Sequence, residues 1–201
     1  SNKLKAVVFH DNLDDALLEE YSNDLVSFVR VEPTEYSNND YRFFCFRDFL
    51  LNIGSKPDVV FHTDASDVVI VKDPIHLIEE NKSIDYFACK DSIMLNEFPY
   101  MKIHEHLGWG DSFNFMINYT SWELINMGVV GGSFDKMLNF YENFVEVRES
   151  MGKPEFNSDM WVLQYLLRSK LQPCNFIMGD PVCSEFKGYQ DNRDDVYFIH
   201  K

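Results

Sequence analysis

Positive charge is in short supply. Only 18 Lys and Arg stand against 33 Asp and Glu, a formal net charge of -15, which excludes a protein that holds long nucleic acid by releasing counterions. A small nucleotide stays admissible, because a divalent metal reverses the local field around a diphosphate. No apolar run reaches the ~20 residues needed to cross a bilayer, so no membrane segment is expected. The basic, apolar and cleavage-site succession of a secretory signal is also missing, and the expected compartment is cytoplasmic. Ser1 and Asn2 equally suit a scar where earlier residues were trimmed, which keeps the secretory-pathway lumen as the alternative. Cys45, Cys89, Cys174 and Cys183 form no CxxC pair of the zinc or redox kind. Reduced, buried thiols are expected, with two disulfides as the other reading. No repeat, low-complexity tract or linker divides the chain, so one domain is expected over residues 1–201.

What is present is a large apolar complement, 45% hydrophobic and 15% aromatic residues, enough for a substantial core. Its spacing alternates between strand and helix periods, an α/β pattern. Strands are predicted at Lys5–His10, Val26–Val31, Pro57–Thr63, Ile84–Lys90 and Gly128–Gly132, all short and rich in β-branched or aromatic residues. Helices are predicted at Asp14–Tyr21, at Asp40–Asn52 and after Ser133. In the last, Phe134, Met137, Leu138, Tyr141, Phe144 and Val145 share a face. A fourth starts at Asn157 or Ser158 and buries Met160, Leu163 and Leu167. The aromatic, Gly-containing stretch from Glu97 to Trp122 reads as a long excursion, a natural place for a second substrate.

Chemistry concentrates in PDVVFHTDASDVVIVKDP, Pro57–Pro74. An apolar strand stops at Thr63, and Asp64 and Asp67 follow where the chain leaves the sheet. Ligands of open α/β sheets collect at that end of the strands. Two carboxylates on one tight turn can converge on a hard cation and leave positions open for phosphate oxygens. The plainer alternative is turn chemistry, with Asp64 in an Asx bond and Asp67 opening the next element.

An apolar strand, TDASDV, a second apolar run and Asp73-Pro74 resemble the metal-binding acidic motif of GT-A glycosyltransferases. The DxxD form is most similar to the glycosyltransferase domains of lysyl hydroxylases and collagen galactosyltransferases. Further segments match in order: NMGVVGGS (Asn126–Ser133) the Asn-Ser-Gly segment, NSDMWVLQYLL (Asn157–Leu167) a helix-opening acidic segment, GDPVCSEFKGY (Gly179–Tyr189) a strand pair, and FIHK (Phe198–Lys201) the terminal strand whose His completes the metal site. Met127 replaces the usual Ser, and Met160 with Gln164 replaces the usual Asp-Gln pairing. The resemblance implies a GT-A-like, Rossmann-like domain whose mixed, mostly parallel sheet is flanked by helices. Lys5–His10 is then either its first strand or the second, with the first nucleotide-binding strand outside this chain. It further implies a hexosyltransferase-like enzyme moving sugar from a UDP-sugar to a hydroxyl of a carbohydrate or other acceptor.

On that resemblance Asp64, Asp67 and His200 hold one cation, Mn²⁺ in preference to Mg²⁺ because the ligand set mixes oxygen and nitrogen. Arg42, Asn126, Gly128 and Lys201 belong to the donor, and Lys187 is a second candidate phosphate contact. Asp40 is expected to hold the Arg42 guanidinium; a helix-start salt bridge with a snorkelling stem is the alternative. Asp159 is the candidate catalytic group, as base, nucleophile or hydroxyl ligand, against an ordinary helix-dipole contact of ~0.5 kcal/mol. Gly128, Gly131 and Gly132 would let a sugar approach the backbone, or mark turns. His104, Glu105 and His106 are a weaker metal cluster, and Trp109, Phe113 and Phe115 are stacking surfaces or core. Two other functions stay open: a metallophosphatase using Asp64, Asp67, His62 and His200, and a binding protein of the same fold without turnover.

Overall fold

The structure, a computed structural model, describes residues 4–97, 121–152, 154–186 and 193–201. His104, Glu105, His106, Trp109, Phe113, Phe115 and Lys187 lie outside the described residues. The element order is β1 (Ala6–His10), α1 (Asp15–Tyr21), β2 (Val26–Arg30), α2 (Asn38–Asn52), β3 (Val59–Thr63), β4 (Val68–Ile70), α3 (Pro74–Glu80), β5 (Tyr86–Met94), β6 (Glu123–Ser133), α4 (Phe134–Met151), α5 (Asp159–Tyr165), β7 (Phe176–Met178) and β8 (Phe198–His200).

The central sheet has the order β3-β6-β5-β7. β6 runs antiparallel to both β3 and β5, and β7 is parallel to β5, so three of the four strands point one way and the mixed, mostly parallel sheet is confirmed. β1 and β2 form a parallel pair, and β4 with β8 an antiparallel one. No helix among the described residues is long and apolar enough to cross a membrane.

β6 is longer than the five-residue strand expected at Gly128–Gly132. It begins at Glu123, and from Leu124 to Gly132 every residue is buried, so the alternation that marks a half-exposed strand is absent. α4 covers the sheet with Phe134, Met137, Phe140, Tyr141, Phe144, Val145 and Val147, while Leu138 is only half-buried. Ser133 occupies the cap position of α4 but makes no capping bond. Asp73 does cap: it accepts from the Ile75 N–H at 3.0 Å, and Pro74 at the first helical position makes the expected turn the start of α3. The GDPVCSEFKGY segment is not a strand pair over its described part. β7 ends at Met178, and past it only Cys183 bridges Phe198.

Cys89 in β5 and Cys183 form a disulfide across a Cα separation of 5.1 Å, with Cys45 and Cys174 free. The expectation of reduced thiols fails for this pair. The packing of β8 and its preceding segment against β5 brings together residues whose separation in sequence gives no such sign.

Candidate functional site

β3 leaves the sheet at Thr63, and the Asp64 N–H donates to the Gly128 carbonyl at 2.9 Å, fixing the start of the turn. β4 then pairs with β8 so that Val68 lies opposite His200, and the Lys201 N–H donates to the Asp67 carbonyl at 2.8 Å. This three-residue ladder delivers the histidine to the acidic turn. His200 Nε2 stands 3.6 Å from an Asp67 oxygen and 3.9 Å from an Asp64 oxygen. The ring is buried and lies against Phe186, with centroids 4.3 Å apart.

Both His200 ring nitrogens and Oδ1 of Asp67 are buried without a hydrogen-bond partner among the described residues. Polar atoms in that state are costly unless something absent from the polypeptide satisfies them. One donor atom each from Asp64, Asp67 and His200 lie within 4.8 Å of one another, compatible with modest closure onto an ion whose ligands sit at ~2.1 Å. The three residues therefore fit a divalent cation with oxygen and nitrogen ligands. Burial lowers the pKa of His200 while the carboxylates of Asp67 and Asp64 pull it upward.

Gly128 is where the imidazole comes closest to the backbone. A Cβ there would lie 2.1 Å from His200 Cε1, so the position requires glycine to admit the histidine. The expected sugar approach is taken up here by the ring. At Gly131 the corresponding space holds the Phe61 ring and at Gly132 the Asp85 carbonyl, which makes both packing positions.

Arg42, in the first turns of α2, is gripped from two sides. One guanidinium nitrogen pairs closely with Asp64 and the other with Asp159 at 2.9 Å. Asp40 does not hold it. That carboxylate turns to Arg148 of α4 at 2.7 Å, and both side chains are fully buried. Asp40 also accepts from the Ser158 N–H at 3.1 Å. Arg148 donates to the carbonyls of Gly152, Pro154 and Phe156 at 2.9, 3.1 and 2.9 Å. The pair thus shapes the loop that leads into α5 and presents Asp159.

Asp159 is buried, and its carboxyl is pushed up to about 6 by that burial; Arg42 pulls the other way and Asp40 adds to the rise. Its second oxygen accepts from the Met160 N–H at 2.7 Å. Asn126 in β6 accepts from the Gly128 N–H at 2.7 Å and donates to Asp91 at 3.2 Å. Met160 is half-buried instead of core, and its sulfur receives the Met127 N–H at 3.2 Å. The two departures from the glycosyltransferase motif therefore touch each other. Gln164 is wholly buried and bonds both the N–H and the carbonyl of Ile125, at 3.2 and 2.7 Å.

One cleft gathers Arg42, Asp64, Asp67, Asn126, Asp159 and His200. Gly128 and Asp91 also line it, and Lys201 is exposed beside His200. Sequence reasoning missed Asp91; its signal was an acid placed just after the buried half of β5, Tyr86–Cys89. His62 is not part of the site. Its ring nitrogens meet the Tyr141 hydroxyl at 3.0 Å and the Met127 carbonyl at 3.2 Å, and burial, with Arg42 nearby, lowers its pKa to about 3.

Solved structures that share this architecture include two glycosyltransferases. One is a glycosyltransferase involved in glycosylation of the major capsid of PBCV-1, with TM-score 0.50 and 16% identity over 92% of this chain and 82% of the other. The other is the galactosyltransferase LgtC, solved with donor and acceptor sugar analogues, with TM-score 0.56 and 13% identity over 99% of this chain and 76% of the other. The chain has the GT-A glycosyltransferase fold. No family model and no curated protein sequence matches it. Within this GT-A frame the cleft lies at the carboxyl ends of β3 and β5, the side of an α/β sheet where ligands bind.

Proposed function

We propose that the protein is a glycosyltransferase that binds a nucleotide-sugar donor, a UDP-sugar, through a divalent cation, Mn²⁺ or Mg²⁺, and passes the sugar to a hydroxyl of a carbohydrate or other acceptor. The observation that carries this reading is the meeting of Asp64, Asp67 and His200, with buried polar atoms that no described residue satisfies, in a cleft of a GT-A fold. The sugar analogues bound to LgtC are additional support. Asp64, Asp67 and His200 would hold the ion, which when bound supplies positive charge to the departing diphosphate.

The chain's own residues do the positioning. Arg42 keeps Asp64 and Asp159 at a fixed separation, so one wall of the donor site is set before ligand arrives. Asp159, deprotonated above about pH 6, serves as a hydroxyl acceptor or base toward the sugar. Asp91 fixes the Asn126 amide against the same cleft, and Lys201 can place a point charge near the phosphates. The metallophosphatase reading loses ground because His62 is engaged in the core. The Cys89–Cys183 disulfide, a bond that persists in oxidising surroundings, favours the secretory-pathway lumen over the cytoplasm.

Calorimetry with UDP in the presence and absence of Mn²⁺ tests the donor site. Wild type should bind UDP only with metal, and Asp67→Asn should abolish this metal-dependent binding while keeping its circular dichroism spectrum. Equal UDP affinity in both proteins removes Asp67 from the site. Metal-dependent UDP binding without donor hydrolysis or transfer leaves a binding protein, and phosphatase turnover without UDP affinity favours the hydrolase.

A further inference from the structure

His200 sits on a strand of only three residues, paired on one side with β4. Its other side rests on the segment Val182–Ser184. The Phe198 N–H donates to the Val182 carbonyl at 3.0 Å, and the Ser184 N–H to the Phe198 carbonyl at 2.9 Å. The main-chain N–H of His200 itself donates to the Ser184 hydroxyl at 3.0 Å, a buried contact. The segment is anchored in turn. Val182 and Cys183 donate their N–H groups to the Gly179 carbonyl at 2.7 and 3.1 Å, and Cys183 is joined covalently to Cys89 of β5. Cys89 precedes Asp91, the partner of Asn126, by two positions. One sulfur from each cysteine and one His200 ring nitrogen fall within 4.8 Å of one another, so the disulfide neighbours the imidazole.

We infer that Ser184 and the Cys89–Cys183 disulfide are positioning groups for His200, and that opening the disulfide weakens cation binding. This rests on the reading of Asp64, Asp67 and His200 as metal ligands. With a dithiol as reductant, the sulfur–sulfur bond takes up two electrons and two protons to give two thiols while the dithiol closes to its own disulfide. Val182–Ser184 then keeps its hydrogen bonds and apolar packing but no covalent anchor, and His200 loses its covalently braced support. Groups that orient a metal ligand from behind are worth about 10–100-fold in metal affinity.

The test is direct Mn²⁺ titration by electron paramagnetic resonance on the full chain, without nucleotide. Oxidised wild type should bind Mn²⁺, and both dithiol-treated wild type and the Cys89→Ala/Cys183→Ala variant should bind about 10–100-fold more weakly. Ser184→Ala, which retains the disulfide, should lose affinity by a similar factor. Leu167→Ala removes buried packing from the main apolar cluster, to which neither Val182–Ser184 nor β8 belongs, so it should lower the melting temperature and leave Mn²⁺ affinity unchanged. If Ser184→Ala and the disulfide-free protein, folded by circular dichroism, bind Mn²⁺ as wild type does, the inference is overturned and the metal site stands. If oxidised wild type binds no Mn²⁺, the metal reading and the inference fall together.

Discussion

Replacing Asp40 by Asn tests the internal frame of the site with almost no change of shape. The Arg148 guanidinium is fully buried, and Asp40 is the carboxylate paired with it, at 2.7 Å. The substitution leaves the guanidinium out of water beside an amide, and breaking a buried pair in this one-sided way costs about 3–5 kcal/mol. In a chain of 201 residues, where each kcal/mol shifts the midpoint by about 2–4 °C, the melting temperature should fall by about 6–20 °C. Arg148 would still reach the Gly152, Pro154 and Phe156 carbonyls, so the loop before α5 should loosen without losing its outline. Urea unfolding followed by tryptophan fluorescence gives the free energy, with calorimetry for the midpoint. A loss below about 1 kcal/mol would refute the reasoning, since a surface pair costs that little.

Two further substitutions probe the cleft. Asp159→Asn removes a carboxyl whose folded value of about 6 lies above the ~3.9 of an unfolded chain. Between those values the native state holds the extra proton, so wild-type stability falls as pH rises from about 4 through about 6, by about 3 kcal/mol in all. In chelator, urea melts should show the variant gaining on wild type across that window, with the gap constant at higher pH; a pH-independent gap contradicts the raised value. Gly128→Ala places a methyl where His200 Cε1 lies. Thermal melts should show a loss of about 1–3 kcal/mol from overpacking, and Mn²⁺ titration a loss of binding; unaltered binding would mean the ring can move aside freely.

The fold class and the residues that meet as Asp64, Asp67 and His200 were legible because each leaves a local trace: alternating strand and helix periods, an acidic turn after an apolar strand, and a histidine in a closing apolar segment. The partners of charged residues were less so, though helix geometry held part of the answer. Asp40 and Arg42 are two positions apart on α2, and residues so spaced do not face each other, which is why the carboxylate meets Arg148 and the guanidinium meets Asp64 and Asp159. Arg148 recurs on the buried stripe of α4 after Tyr141 and Phe144, a placement that itself signals a buried partner. In β3, side chains alternate, so His62 turns away from the neighbouring Phe61 and into the α4 layer, where Tyr141 takes its Nδ1. The Cys89–Cys183 bond and the full reach of β6 left no comparable trace. One depends on contacts between distant segments, and the other on burial of both strand faces.

The short β4–β8 ladder has an effect on how the protein would fail under stress. It lies outside the four-stranded sheet and is only three pairs long, whereas α4 and the central strands share one extensive apolar interior. β8 is buried and held from behind by Val182–Ser184, but β4 is largely exposed, and fraying of so short and exposed a strand requires far less energy than global unfolding. Ligand capture can therefore vanish on warming while the bulk of the molecule remains intact, and heat inactivation need not coincide with the calorimetric transition.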